Sequence, residues 1–167
     1  MSEDHLAVER MKKIDELLDS YEENLGLTAQ SEKDYEDIGQ YLNMSRDQLE
    51  KFDPQDCSQI VYRLSSFALF LNRSYNREMA RYNWSESLMK ELTAPRLDQQ
   101  SGYGFIEKYN KAVVDDEYTR KLNEINRYAK QRSDRLSFLS NSVKNLADSL
   151  KNIQRAKELA QMGEKHG

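Results

Sequence analysis

The chain has 167 residues, 38% hydrophobic and 32% charged, with 25 Lys/Arg against 29 Asp/Glu and a formal charge of −4. Its 6 glycines and 2 prolines argue against a turn-rich β-sandwich or barrel, and its low apolar content argues against a deep-cored α/β enzyme. Long amphipathic helices remain, because a narrow apolar seam needs few hydrophobic residues.

The single cysteine, Cys57, cannot form an internal disulfide, and His5 and His166 stand at opposite ends of the chain. No zinc-type Cys/His grouping exists. The N-terminus lacks the apolar run of a secretory signal, and no stretch approaches the roughly 20 apolar residues that span a bilayer. The expectation is a soluble cytoplasmic protein with no membrane partner, no metal and no cofactor.

The first predicted helix carries Ala7, Met11, Ile14, Leu18, Tyr21 and Leu25 at steps of 4 and 3, and Gly26 ends it. A second begins at Ser31, with Asp34 placed as in a capping box, and buries Tyr35, Ile38 and Leu42. Asp53-Pro54-Gln55-Asp56 is a further start signal, an Asp N-cap followed by Pro at the first helical position. From there to Pro95 no proline intervenes, which predicts a helix over 54–93 of about 60 Å at 1.5 Å per residue. Ile60, Leu64, Phe67, Leu71, Tyr75, Tyr82 and Met89 mark its buried face, interrupted by Ser74, Glu78 and Ser85.

Residues 94–116, with Pro95, Gly102 and Gly104, read as an irregular tip. The last helix, 117–162, is the strongest signal. Positions 122, 125, 129, 132, 136, 139, 143, 146, 150, 153, 157 and 160 alternate steps of 3 and 4, and only Arg132 and Lys157 depart from apolar character. The fold class expected is all-α: a long antiparallel, coiled-coil-like helical hairpin over 54–167 with an acidic N-terminal helical arm over 1–53. Two helices alone leave their seams open, so either the arm or a second subunit covers them, and a homo-oligomer is expected.

Charge is unevenly distributed. Residues 1–56 hold 6 Lys/Arg and 16 Asp/Glu, a net of −10, while residues 57–167 hold 19 and 13, a net of +6. On the first long helix Phe70, Arg73, Arg77, Arg81 and Trp84 fall within roughly 80° of one another at 100° per residue. They form an arginine stripe closed by aromatics, beside the core seam and facing outward. Arginines neutralise phosphates and aromatic faces stack on bases, the needs of a sequence-tolerant single-strand binder. The plainer reading is a solvated face whose arginines pair with Glu78 or Glu86. Tyr103, Phe105 and Tyr109 with Arg96, Lys108 and Lys111 form a second such mixture at the tip, which could equally pack against a neighbour.

Asp115-Asp116-Glu117 reads as a complement to the dipole of the last helix. No Ser/His/Asp, Cys/His or paired-carboxylate arrangement suggests catalysis, so no catalytic residue is assigned and an enzyme is not expected.

The segment Glu78-Met79-Ala80-Arg81, the tip Arg96-Leu97-Asp98-Gln99-Gln100-Ser101-Gly102-Tyr103-Gly104 and the last helix from Arg135 to Ile153 together resemble the UvsY-type recombination mediators of large tailed phages. The resemblance covers roughly residues 58–160. It implies a non-enzymatic protein that binds single-stranded DNA, forms a ring of several subunits, and contacts a recombinase and a single-strand-binding protein during recombination and repair. Its setting would be the cytoplasm of an infected bacterium. By position Arg96 would be the matching DNA contact. The family's lysine two residues earlier is Ala94 here, which leaves Arg73, Arg77 and Arg81 as the helix-borne cations. The alternative is an oligomeric coiled-coil scaffold without DNA binding. A third possibility is that the acidic arm occupies the basic face, of its own or another subunit, as a DNA mimic.

Overall fold

The computed structural model describes residues 3–26 and 38–164, all helix and connecting turns with no strand among them. Its frame is an antiparallel hairpin of two long helices, α4 (Pro54–Thr93) and α6 (Glu117–Glu164). Among the described residues, three helices precede it: α1 (Glu3–Asn24), α2 (Ile38–Leu42) and α3 (Arg46–Leu49). A 3-10 turn (Ala94–Gln99) and α5 (Phe105–Val114) join the hairpin arms, so the tip is more regular than its glycines and proline suggest. The helix start at Ser31, with Asp34 and Tyr35, lies outside the described residues; of that segment Ile38 is buried, but Leu42 is 38% exposed.

Local chemistry sets the boundaries. At the start of α4 the Asp53 carboxylate accepts the Asp56 N–H at 2.8 Å, and Pro54 has no N–H to leave unpaired. At the start of α6 the Asp116 carboxylate accepts the Thr119 N–H at 2.8 Å. Ser45 and Gln48 close a reciprocal capping box on α3. Gly26 ends α1 at φ 68°, the left-handed conformation that glycine adopts without a Cβ clash.

The chain divides into two compact units. The first comprises Met1–Leu27 with Ser74–Arg135, and the second Thr28–Arg73 with Leu136–Gly167. α4 and α6 each give one half to either unit, while α1 belongs to the first and α2 and α3 to the second. The first core gathers Ala7, Met89, Tyr118, Leu122 and Ile125, with Met11, Trp84, Leu88 and Leu92 packed on it. The second gathers Ile38, Leu49, Cys57, Ile60, Leu64, Leu71, Val143 and Leu150 among others. Burial pushes the Cys57 thiol above its ordinary range.

The deepest line of α6 is not wholly apolar. Leu122, Ala129, Val143 and Leu150 are buried, but so are Ser133, Ser140 and Ala147, whereas Leu139, Leu146 and Ile153 are only half-buried. The two serine hydroxyls are satisfied, one within its own helix and one across to α4. Ser133 donates to the Lys130 carbonyl at 2.8 Å, and Ser140 donates to Asn72 Oδ1 at 2.9 Å and to the Ala68 carbonyl at 3.3 Å. The two polar heptad positions are also explained. Lys157 donates to the carbonyls of Glu50 and Phe52, which clamps the turn before α4, and Arg132 meets the buried Glu78 of α4 at 2.9 Å.

Ser140→Leu, which hydropathy alone would favour at a buried helix position, should therefore destabilise the chain by about 1–3 kcal/mol through overpacking. Urea unfolding measures it, and an unchanged or raised midpoint would contradict this packing.

Candidate nucleic-acid interface

Three helices of the first unit meet at an ionic layer. Arg81 on α4 donates Nε and Nη2 to the two carboxylate oxygens of Asp15 on α1, at 2.9 and 2.7 Å, a bidentate fork. Its Nη1 donates to Glu78 Oε1 at 2.6 Å. The other Glu78 oxygen faces Arg132 of α6 at 2.9 Å. One turn before Arg81, Arg77 donates to Glu22 at 2.9 and 3.5 Å and to Asp19.

Three guanidinium groups thus confront four carboxylates, and the layer carries no surplus positive charge. Both arginines are held above their ordinary range, Arg77 chiefly by its hydrogen bond to Glu22 and Arg81 by its bond to Asp15. The side chains of Arg77 and Arg81 are only 29% and 21% exposed.

This corrects the outward-facing stripe expected from the sequence. A two-helix frame puts Arg77 and Arg81 toward water, but α1 lies over them. The aromatics that close the stripe also turn inward. Trp84 is half-buried against the first core, and Phe70 stacks on Phe67 with centroids 6.1 Å apart on the second core. Both act as packing residues rather than open stacking platforms. Arg73 is half-buried and belongs to the second unit.

At the tip, Arg96 donates Nε to the Leu92 carbonyl at 3.0 Å and lies 3.6 Å from Asp116, which ties it to the junction of α4 and α6. Tyr103 is fully exposed, Phe105 and Ile106 are largely so, and Phe105 stacks on Tyr109 at 6.0 Å. Lys108 sits half-buried on α5. Glu107 fastens the loop: it accepts from Lys111 at 2.9 Å and from the Tyr103 N–H at 3.3 Å, which holds its carboxyl below the ordinary range.

A basic face absent from the expected set lies along the outer side of α6 in the first unit. Arg120, Arg127 and Arg135 are exposed and make no ion pair among the described residues; Tyr128 beside them is 59% exposed. All four fall within about 100° of one another at 100° per residue. The nearby acids are drawn to flanking lysines, Glu124 to Lys121 at 2.9 Å and Asp134 to Lys130 at 2.8 Å. Counted together, Arg120, Lys121, Arg127, Lys130 and Arg135 exceed the three acids Glu117, Glu124 and Asp134 by two charges. The sequence carries this face as the net +7 of residues 120–157, on the side of α6 opposite its apolar heptad positions.

Other chemistry is sparse. A groove of about 670 Å³ runs between α3 and the end of α6, lined by Leu49, Leu146, Ile153 and Lys157 among others. No His/Cys/Asp/Glu group able to hold a metal ion occurs among the described residues. No helix among them is long and apolar enough to cross a membrane.

Two outcomes test this geometry. Glu78→Ala strips Arg81 and Arg132 of a shared, buried partner and should cost about 3 kcal/mol, the low end for breaking a buried pair. Guanidinium unfolding of that variant reads it. Asp116 titrates below its ordinary range: burial works against its charged form, but the Thr119 bonds and Arg96 outweigh burial. A carboxyl depressed by folding adds stability above its unfolded pKa and loses it as pH falls through the folded value. Asp116→Ala should therefore cost about 1 kcal/mol at neutral pH. The gap in melting temperature from the unsubstituted chain should narrow on acidification. A gap that stays constant or widens would contradict this assignment.

No family model, no curated protein and no solved structure matches this chain.

Proposed function

We propose that this chain is a non-enzymatic accessory protein that binds single-stranded DNA through the outer face of α6. The observation that carries the reading is the surplus of exposed cations there, Arg120, Arg127 and Arg135, beside the exposed ring of Tyr128. Successive arginines are about 10–12 Å apart along the axis at 1.5 Å per residue, within reach of one backbone. Phosphate contacts give affinity without sequence preference, and an exposed aromatic ring accepts any base face. The exposed Tyr103 and Phe105 at the tip offer further stacking surface.

The resemblance of the Arg96–Gly104 segment and its flanking helices to UvsY-type mediators supports a place in recombination. There the protein would assist exchange between a single-strand-binding protein and a recombinase. Self-association, with a ring of several subunits as the form implied by that resemblance, belongs to the same proposal. A cytoplasmic location follows from it.

The second reading, a coiled-coil scaffold that binds proteins only, is favoured by one observation: Arg77 and Arg81 are fully compensated by α1. A titration of labelled oligo(dT) across a salt series separates the two. DNA binding that weakens steeply with salt is expected. Replacing Arg120, Arg127 and Arg135 by Ala should reduce the slope of log K against log salt by about 2, at roughly 0.7 per single-strand phosphate contact. Absence of binding at low salt would overturn the proposal in favour of the scaffold.

A further inference from the structure

α1 is attached in two different ways along its length. Its first half is anchored by apolar and aromatic contacts: Ala7 is fully buried, Met11 packs on the first core, and Arg10 lies over the Tyr118 ring at 5.8 Å. From Asp15 onward the anchoring becomes ionic. Tyr21 and Leu25, which continue the apolar spacing, are 62% and 55% exposed, while Glu22 is buried. Asp15, Asp19 and Glu22 hold this half of the helix against Arg77 and Arg81.

The acids match the arginines in spacing as well as in sign. Asp15 and Asp19 are one helical turn apart, as are Arg77 and Arg81, and the order is reversed between the two helices. Each turn advances about 6 Å, a step that neighbouring phosphates of an extended strand can bridge. Arg81 is also pre-oriented by a partner on its own helix. Glu78 holds Nη1, which leaves the Nε–Nη2 edge to face Asp15 on α1. That edge fits two oxygens of a phosphate as it fits two of a carboxylate.

We infer that the second half of α1 is an exchangeable acidic cover, and that single-stranded DNA displaces it to bind Arg77 and Arg81. The inference rests on the nucleic-acid reading above and adds a second, concealed contact surface to the open one on α6. Exchange trades one anion for another on the same guanidinium groups, so the cations are never left bare in a partly buried site. The apolar first half keeps the cover tethered. Because the ion pairs weaken with salt while the apolar anchor does not, the cover loosens from its C-terminal end.

The test uses the full chain and fluorescence anisotropy of labelled oligo(dT) at fixed salt. Neutralising the cover with Asp15→Asn, Asp19→Asn and Glu22→Gln together should tighten binding severalfold. Adding Arg77→Gln and Arg81→Gln to that chain should remove the gain. Circular dichroism checks that the triple variant keeps its helices. If it does not, Asp19→Asn alone serves, since that carboxylate is half-exposed, and a smaller gain of the same sign is expected. Hydrogen exchange supplies a second readout: oligo(dT) should speed exchange of amides 15–24 and leave 7–11 protected. If the unsubstituted chain binds oligo(dT) but neither affinity nor exchange responds, the cover is refuted and the nucleic-acid reading stands. If no form binds at low salt, both fall.

Discussion

A carboxylate placed on the packing face of a helix must be given cations, and Glu78 imposes that demand on the first unit. Its two oxygens take Arg81 from the same helix and Arg132 from α6. Arg81 then has a further edge to satisfy while only 21% exposed, and a second acid, Asp15, must come from elsewhere in the chain. The docking of α1 answers that need. Burying any one of these groups alone would be costly, since an unpaired charge in a low-dielectric site has no water to replace its partner. Together they link three helices through charge, and they make the choice of partner and register specific where apolar contacts alone would be permissive.

The second unit has the larger apolar core and adds polar constraints to it. The hydroxyl of Ser140 is spent on the facing helix. Lys157 donates to the carbonyls of Glu50 and Phe52 in the turn where one helix ends and the next begins, and the Phe52 carbonyl also accepts from the Cys57 thiol at 3.9 Å. Neither device adds much hydrophobic area. Both convert polar side chains into geometric constraints that supplement the apolar cores between two helices of 40 and 48 residues.

Much of the architecture is legible in the residues. Pro54 and Pro95 bracket α4, and steps of 3 and 4 mark α6, because helix periodicity and capping are local chemistry. What is not legible is mostly ionic and long-range. Hydropathy gives no weight to Ser133 or Ser140, so the deep line of α6 looks more apolar than it is. Arg132 and Lys157 look like flaws until their partners, distant in sequence, are in place. The arginines at 77 and 81 are visible as a stripe, which two helices would leave facing water and which α1 covers. The acids at 15, 19 and 22 carry the complementary spacing, but on a helix whose apolar seam attracts attention first. The outer face of α6 is legible as net charge, but which of its cations are engaged depends on partners that periodicity does not encode.

The position of Trp84 has a spectroscopic consequence. It is the sole tryptophan of the chain, and it is half-buried against the core that also contains Ala7 of α1. Its emission is therefore governed by how dry that core is, not by contact with a base. A shift to longer wavelength would register water entering beside α1, and quenching without a shift would indicate an event at the surface. The protein thus carries a native optical gauge of its own helix docking, readable without any label.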